Sequence, residues 1–229
     1  MSNLLSFIAP IFWGLLLLSV LVFIHEGGHF LAARACDVRV SEFFLGLPCR
    51  FRLAHRSRRC GTLFGITPLL LGGYAAICGM EHDDSPCAPS VLSEINRCGK
   101  ASIQEIAEAL DIDSDEVLNA CIMLMSWGSI APVYAEGDGR SRAYYPETYA
   151  TVSRDRMGNT VLDGRAFDKD HATTEGEHWS GDIDSQELFK QEKSRTYNGV
   201  SFPRRAFILL AGILVNIIAG MLLLMSVYS

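Results

Sequence analysis

Residues 20–35 read VLVFIHEGGHFLAARA, so two histidines and a glutamate lie within apolar sequence. Titratable side chains are costly inside a bilayer and generally mark a functional site there. His25 and His29 are four residues apart, so on a helix both rings project from the same face. Two imidazoles at this spacing can bind one zinc ion, and Glu26 is placed to act as general base on a zinc-bound water. The pattern therefore predicts a metal site in a membrane-spanning helix.

Two apolar runs, residues 4–24 and 206–228, are long enough to cross a bilayer, which takes about 20 helical residues. No lysine or arginine precedes Arg34, so we expect the first run to be a retained helix and not a cleaved signal peptide. Basic residues near spans favour the cytoplasmic side. Here they follow the first run and precede the second: Arg34, Arg39, Arg50, Arg52, Arg56, Arg58, Arg59, Arg204 and Arg205. The sequence therefore predicts a multi-pass integral protein of the cell membrane, with its central region in the cytoplasm.

Charge is distributed unevenly along the chain. Residues 83–199 contain 22 acidic and 11 basic side chains, whereas the rest contains 4 acidic and 9 basic ones. An acidic, polar centre between basic, apolar ends is typical of a membrane part joined to a soluble part. The seven cysteines form no C-x-x-C pair, which argues against a zinc ribbon.

Changes in composition define the predicted segments. Residues 1–35 form the first transmembrane helix with H-E-x-x-H, and residues 203–229 form the second. Residues 36–82 alternate apolar stretches with Gly and Pro, which is typical of strands and turns, and are predicted to be a membrane-associated β region. Residues 149–200 are rich in Asp, Gly, Ser, Thr and Glu and are predicted to be a disordered linker, because they cannot bury enough apolar surface alone.

Residues 88–148 read as three helices followed by two short strands. The second helix opens with the capping box Ser102 to Glu105, and Gly99 and Gly128 end the first and third helices. The two strands flank Gly137-Asp138-Gly139. This order resembles a winged helix, and it predicts a small α+β domain in the cytoplasm.

A nucleic-acid partner is disfavoured for this domain. Phosphate contacts require lysine and arginine. The third helix, which would be the recognition helix, begins Asp113-Ser114-Asp115-Glu116 and contains no basic residue. The predicted wing carries only two basic residues, Arg140 and Arg142. A protein-interaction or sensor role fits this charge better.

Three stretches resemble, in order, motifs of the site-2 proteases, a family of intramembrane zinc metalloproteases. FIHEGGHFLAARACDVRVSEFFLG at residues 23–46 is similar to the family's first transmembrane segment. FGITPLLLGGYAAICGM at residues 64–80 is similar to its P-L-G-G-Y segment, a membrane-associated β-hairpin near the active site. YNGVSFPRRAFILLAGILVN at residues 197–216 is similar to its second span, although Ile213 replaces the usual proline of A-G-P-x-x-N. The resemblance is to the N-terminal half of the family, with the winged-helix-like domain as an insert.

The resemblance implies roles for seven residues. His25 and His29 would be zinc ligands, and Glu26 would be the general base. The residues that would present an extended substrate or line the catalytic cavity are Gly72, Gly73, Tyr74 and Asn216. A free sheet edge suits a substrate helix that must unwind before hydrolysis. Asn216 could instead join two helices as a buried polar side chain.

The third zinc ligand of the family is an aspartate in an L-D-G motif on a later span, and residues 1–229 contain no such span. Leu162-Asp163-Gly164 lies in polar sequence without a preceding N-x-x-P-x-P, so we interpret it as coincidental. Two alternatives stay open. A second chain or a missing C-terminal part supplies the ligand, or the chain is a degenerate member that binds metal weakly or not at all.

The predicted fold class is an α-helical membrane protein with a membrane-associated β-hairpin region and an inserted, small α+β winged-helix-like domain. The predicted function is that of a zinc metalloendopeptidase that cleaves peptide bonds in or near the transmembrane segments of membrane proteins. The alternative is a catalytically inactive or fragmentary member that acts as a membrane-tethered protein-interaction module, with DNA binding as the weaker variant of that role.

Overall fold

The computed structural model describes residues 2–81, 85–134 and 145–228, and it divides into two compact units. The helix–sheet unit consists of Met1–Ser57, Thr62–Ile77 and Ser201–Ser229. The central unit consists of Arg58–Gly61 and Cys78–Val200. Each unit is described by itself below.

Two long helices, α1 (Ser2–Ala35) and α6 (Phe202–Tyr228), dominate the helix–sheet unit. Ala9–Ala35 and Phe202–Tyr228 are each 27 residues long and apolar enough to cross a membrane. At 1.5 Å per residue each is about 40 Å long, which exceeds the roughly 30 Å of the hydrocarbon core. Most of their large apolar side chains are exposed, as expected of helices that face lipid.

Small residues allow α1 and α6 to pack closely. A Cβ atom added to Gly28 would lie 2.7 Å from the Ala211 carbonyl oxygen and 3.0 Å from the Gly212 Cα atom. Ala32, one helical turn after Gly28, is also buried. Because lipid tails are as apolar as the side chains they surround, such close backbone packing is the main attraction available between membrane helices.

The segment between these helices forms a four-stranded mixed sheet. Its strands are β1 (Val40–Leu45), β2 (Leu53–Arg56), β3 (Leu63–Ile66) and β4 (Gly73–Ile77), in the order β2-β3-β1-β4. β1 pairs in parallel with β3, and the other two pairings are antiparallel. The predicted β-hairpin at residues 64–80 is therefore wrong. β3 and β4 do not pair, because β1 lies between them and is hydrogen-bonded to both.

Aromatic side chains fasten one face of this sheet to α1. Phe43 of β1 packs against Phe23 and Phe30 of α1, with ring centroids 5.1 and 5.2 Å apart. Phe64 of β3 packs edge-on against Phe30 at 5.3 Å. These contacts hold β4, at the outer edge of the sheet, beside the H-E-x-x-H segment.

The central unit begins with three helices and a three-stranded sheet. The helices are α2 (Ala88–Cys98), α3 (Ile103–Leu110) and α4 (Ser114–Ser126), and the strands are β5 (Lys100–Ser102), β6 (Ile130–Val133) and β7 (Thr148–Thr151), in the order β5-β7-β6. The capping box between Ser102 and Glu105 forms as the sequence indicated. The core is shared by the helices and the sheet: Val91, Leu92, Ile95, Ile106, Val117, Cys121, Leu124 and Tyr149. Residues 135–144, which include the predicted wing turn and its two arginines, lie outside the described residues.

The prediction of a disordered linker at residues 149–200 is wrong. This segment contains β7, two 3-10 helices at Val161–Ala166 and Lys169–His171, and α5 (Ser185–Ser194). Two of its large apolar side chains, Trp179 and Leu188, are buried in the core of the three helices. Composition alone failed here because the segment becomes ordered against a neighbouring core that it does not itself supply.

A buried ion pair connects this segment to the rest of the central unit. Arg154 and Glu192 are both fully buried, and the Arg154 Nη1 atom lies 2.8 Å from the Glu192 Oε1 atom. Arg154 also donates to the carbonyl oxygens of Gly158 at 3.0 Å and Ser129 at 2.8 Å. The Ser129 hydroxyl donates to the same glutamate. Each charge is therefore paired and hydrogen-bonded, which is the condition under which buried charges are tolerated.

Removing one partner of this pair should destabilise the central unit strongly. Glu192→Ala leaves the Arg154 guanidinium buried without its counter-charge, and we expect a loss of about 3–5 kcal/mol in the free energy of unfolding. Chemical denaturation followed by fluorescence of Trp127 and Trp179 measures it. Glu187→Ala, which removes the exposed partner of Lys190, is the control and should change stability by less than about 1 kcal/mol. Equal effects of the two substitutions would contradict the role of the buried pair.

The two glycines of the histidine motif should respond differently to alanine. A Cβ atom on Gly27 meets nothing within 4 Å, whereas one on Gly28 meets the backbone of α6. Both substitutions favour the helical state by about 1 kcal/mol through backbone entropy. We therefore expect Gly27→Ala to be neutral or stabilising and Gly28→Ala to lower the resistance of α1 and α6 to unfolding by SDS, measured by circular dichroism. Identical behaviour of the two variants would show that the helices do not pack as described.

Candidate active site

The two histidines meet on one face of α1. The Nε2 atoms of His25 and His29 are 3.2 Å apart, and their ring centroids are 4.7 Å apart. Two nitrogens that bind one zinc ion tetrahedrally at about 2.0–2.1 Å lie about 3.3 Å from each other. The side chains are thus already at the separation that a shared zinc ion requires.

The outer nitrogen of His29 is held by α6. The Nδ1 atom lies 2.7 Å from the carbonyl oxygen of Ile208. Since a carbonyl only accepts, the proton of a neutral His29 is on Nδ1, and its Nε2 atom carries the lone pair that a metal needs. This arrangement is usual for metal-binding histidines.

Gly212 of α6 keeps the space beside the histidines open. A Cβ atom at this position would lie 2.5 Å from the His29 Nε2 atom and 2.8 Å from the His25 Nε2 atom. Any side chain here would displace the rings or occupy the place of a ligand shared by both nitrogens. Sequence reasoning did not single out Gly212, and the only available signal was the A-G pair that precedes Asn216.

The carboxylate of Glu26 lies at the outer edge of the sheet. Its Oε2 atom accepts a hydrogen bond of 3.2 Å from the backbone N–H of Ala75 in β4. The Gly46 N–H donates to the Gly72 carbonyl, so this cross-strand pair is hydrogen-bonded. Hydrogen-bonded and non-hydrogen-bonded pairs alternate along antiparallel strands, so the N–H of Ala75, three residues after Gly72, points away from β1. Sequence reasoning also missed Ala75, because it contributes only backbone.

The predicted substrate-binding residues of β4 separate into two groups. Gly73 lies next to the general-base candidate, since a Cβ atom there would be 3.9 Å from the Glu26 Cγ atom, and Gly72 lies beside Val22 of α1. The Tyr74 side chain instead projects to the other face of the sheet, where its hydroxyl donates to the Glu42 carboxylate at 2.7 Å and its ring stacks on Phe44. The structure therefore brings the two glycines, but not the Tyr74 side chain, to Glu26.

Asn216 is the polar side chain that α6 contributes to this site. Its Nδ2 atom lies 3.3 Å from the Nδ1 atom of His25. Its Oδ1 atom is buried and has no hydrogen-bond partner among the described residues. The residue predicted to line the cavity thus directly contacts a predicted zinc ligand.

The two histidine nitrogens fit zinc, but they are only two donors. Among residues 2–81, 85–134 and 145–228, no group of three or more His, Cys, Asp or Glu side chains is arranged to hold a metal. The L-D-G aspartate has a different use. The Asp163 carboxylate caps a 3-10 helix by accepting from the Thr160 N–H at 2.6 Å, and it pairs with the Arg195 guanidinium at 2.6 Å. These contacts agree with its interpretation as coincidental.

Curated relatives share about a third of this chain. A putative zinc metalloprotease of Helicobacter pylori is 38% identical over 73 residues, which is 31% of this chain and 19% of that protein. The probable protease eep of Enterococcus faecalis is 36% identical over 87 residues, or 37% of this chain and 20% of its own length. The regulator of sigma-E protease RseP of Salmonella typhimurium is 39% identical over 74 residues, or 32% and 16% respectively. The chain therefore spans about a fifth of the length of these relatives.

A family description accounts for nearly the whole chain. The sequence profile of Peptidase family M50 matches residues 13–229, from within α1 to the C-terminal end of α6. This match includes the histidine pair, the β4 strand and Asn216. The chain therefore belongs to Peptidase family M50, the site-2 protease family, as its three motifs indicated.

Proposed function

We propose that this chain carries the first part of the catalytic centre of an intramembrane zinc metalloprotease. Its reaction is the hydrolysis of peptide bonds in or near transmembrane segments of membrane proteins. The observation that carries the proposal is the pair of Nε2 atoms 3.2 Å apart on an apolar helix, with the Glu26 carboxylate on the adjacent residue and at the edge of a sheet. The names of the relatives, zinc metalloprotease and RseP, support the same reaction.

His25 and His29 would hold the zinc ion through Nε2. A zinc ion bound there polarises the substrate carbonyl and lowers the pKa of a bound water. Glu26 takes the proton of the attacking water and returns it to the leaving amine, as general acid–base catalysis requires. The N–H of Ala75 fixes the orientation of the carboxylate until substrate binds.

The outer edge of β4 is the proposed binding surface for substrate. A transmembrane helix must unwind before its amides can be attacked, and the freed backbone groups then need partners. The outward N–H and C=O groups of Gly73 and Ala75 offer such partners to an extended strand. Gly72 and Gly73 leave the approach free of side chains, whereas Tyr74 stabilises the strand from its other face through Glu42.

The third zinc ligand comes from outside the described residues in this proposal. The relatives are about five to six times as long as the stretch they share with this chain, so a later part of the protein is one proposed source and a second chain is the other. Either would supply a carboxylate to the zinc ion. The two-ligand set also favours a second candidate function, a member without catalysis that acts through its central unit.

The central unit is proposed to be a winged-helix-like domain for protein interaction. The element order α2-β5-α3-α4-β6-β7 and the sheet order β5-β7-β6 support this proposal. α4 begins with Asp115 and Glu116 in its first turn, next to Asp113 as its N-cap, so its exposed end repels phosphates. Trp127 is buried against Phe189 and is unavailable for stacking on bases.

The protein is proposed to be multi-pass in the cell membrane, with residues 36–205 in the cytoplasm. The arginines that flank the two spans support this orientation. A reporter protein fused at Gly139 should therefore be active only if it is a type that functions in the cytoplasm. Activity of a reporter that functions only outside the cell would contradict the topology.

The zinc and base assignments predict a separable pair of effects. Zinc per chain in the detergent-purified native protein should be lost in His25→Ala and retained in Glu26→Gln. Glu26→Gln should lower cleavage of a transmembrane substrate by about 10²–10⁴-fold, the usual contribution of a general base or acid. Glu108→Gln, on an exposed face of α3, is the control and should leave both quantities unchanged.

Asp163→Ala adds a test of the L-D-G aspartate. Because that carboxylate is bonded to Thr160 and Arg195, zinc should be retained in this variant. Zinc loss in Asp163→Ala would show that the L-D-G aspartate is a ligand. Absence of zinc from the wild-type protein would contradict the proposed function and favour the non-catalytic alternative.

A further inference from the structure

The Asn216 carboxamide has one end facing His25 and one end without a partner. Its Nδ2 atom is 3.3 Å from the His25 Nδ1 atom, and its Oδ1 atom is buried without a hydrogen-bond partner among the described residues. A buried amide oxygen without a donor is unfavourable. The side chain therefore has an unused acceptor within a bond rotation of a histidine nitrogen.

Rotation of the carboxamide by 180° gives the oxygen a donor. The oxygen and nitrogen ends are nearly isosteric, so the rotation exchanges them in the same space. It places Oδ1 at His25 Nδ1, where it accepts the ring N–H. The histidine then has its proton on Nδ1 and a lone pair on Nε2, which is the form that binds a metal.

The same face of α6 serves both histidines. Ile208, Gly212 and Asn216 follow each other at intervals of four residues and therefore form one stripe along the helix. The Ile208 carbonyl oxygen lies 2.7 Å from the His29 Nδ1 atom, Gly212 leaves space at the two Nε2 atoms, and Asn216 reaches His25. His29 thus has a backbone acceptor from α6, and the rotated Asn216 carboxamide would give His25 a side-chain acceptor from the same helix.

We infer that Asn216 is a positioning residue that holds His25 in its Nδ1–H form, with Nε2 aimed at the shared ligand position. This inference rests on the proposed zinc site. It assigns Asn216 to the histidine itself and not to the substrate, and it gives a reason for a polar side chain in the middle of a largely apolar helix. An asparagine supplies the acceptor without placing a charge in a membrane span, where an unpaired charge is costly.

The first test is zinc affinity in the full chain, purified in detergent and titrated against a competing chelator. Asn216→Leu has nearly the same volume but no acceptor, and we expect about 10–100-fold weaker zinc binding, as for other outer partners of metal-binding histidines. Asn216→Asp keeps an acceptor in the same place and should stay within about threefold of wild type or bind more tightly. Ser226→Ala removes a polar group elsewhere on α6 and should not change the affinity.

Two outcomes of this titration overturn the inference. One is wild-type affinity in Asn216→Leu, because the acceptor would then be dispensable. The other is an equal loss in Asn216→Leu and Asn216→Asp, because a general effect on helix packing would then explain both. Rescue by aspartate is the feature that a merely structural asparagine does not produce.

The second test separates the inference from the zinc function. Ring ¹⁵N NMR of metal-free protein, with the His25 signals assigned through His25→Gln, reports directly whether Nδ1 carries a hydrogen-bonded proton. We expect that proton in wild type and Asn216→Asp and its loss from Nδ1 in Asn216→Leu. A wild-type His25 protonated only on Nε2 overturns the inference even if zinc binds. If no zinc binds to wild type, the proposed function fails while the protonation of His25 Nδ1 still decides the role of Asn216.

Discussion

The close approach of α1 and α6 is the constraint on which the candidate site depends. At Gly28 a single added Cβ atom would come within 2.7 Å of the α6 backbone, and at Gly212 it would come within 2.5 Å of a histidine nitrogen. Because both positions are glycine, the two helices lie close enough for the Ile208 carbonyl and the Asn216 carboxamide to reach the outer nitrogens of the histidines. With an acceptor at each of those nitrogens, two Nε2 lone pairs would face each other, an arrangement that is stable when a cation lies between them. The packing of the two helices therefore also determines the geometry of the proposed metal site.

After α1 and α6, the sheet is the third structural element that forms the candidate site. Its aromatic face is fastened to α1 through Phe23, Phe30 and Phe43, and this places the outer edge of β4 against Glu26. The carboxylate that would activate water thus touches the backbone edge that would hold an extended peptide. Strand addition and base positioning share one N–H group, that of Ala75. A peptide added to β4 would compete with Glu26 for that group and free the carboxylate for proton transfer.

The central unit shows why composition can mislead. Residues 149–200 contain few large apolar side chains, and this composition predicted a disordered linker. The segment is ordered because Trp179 and Leu188 enter a core built by α2 and α4, and because Arg154 and Glu192 satisfy each other in that core. Charge pairing across 38 residues of sequence leaves no periodic signal. Local signals did work where the cause was local, as at the capping box of Ser102 and Glu105.

The sequence by itself determined the two long apolar helices, the pair of histidines with the adjacent glutamate, and the membership of the chain in its family. These follow from run length, from four-residue spacing on a helix and from motif order, all of which are local properties. Only the tertiary structure decided that β1 separates β3 from β4. It also decided that the Tyr74 hydroxyl hydrogen-bonds to Glu42 and lies away from Glu26. The same holds for the place of Gly212, Ala75 and the Ile208 carbonyl in the candidate site. The physical reason is that backbone groups and glycines act through their position in space. Their contribution to a site is defined by what approaches them, and sequence spacing does not record it.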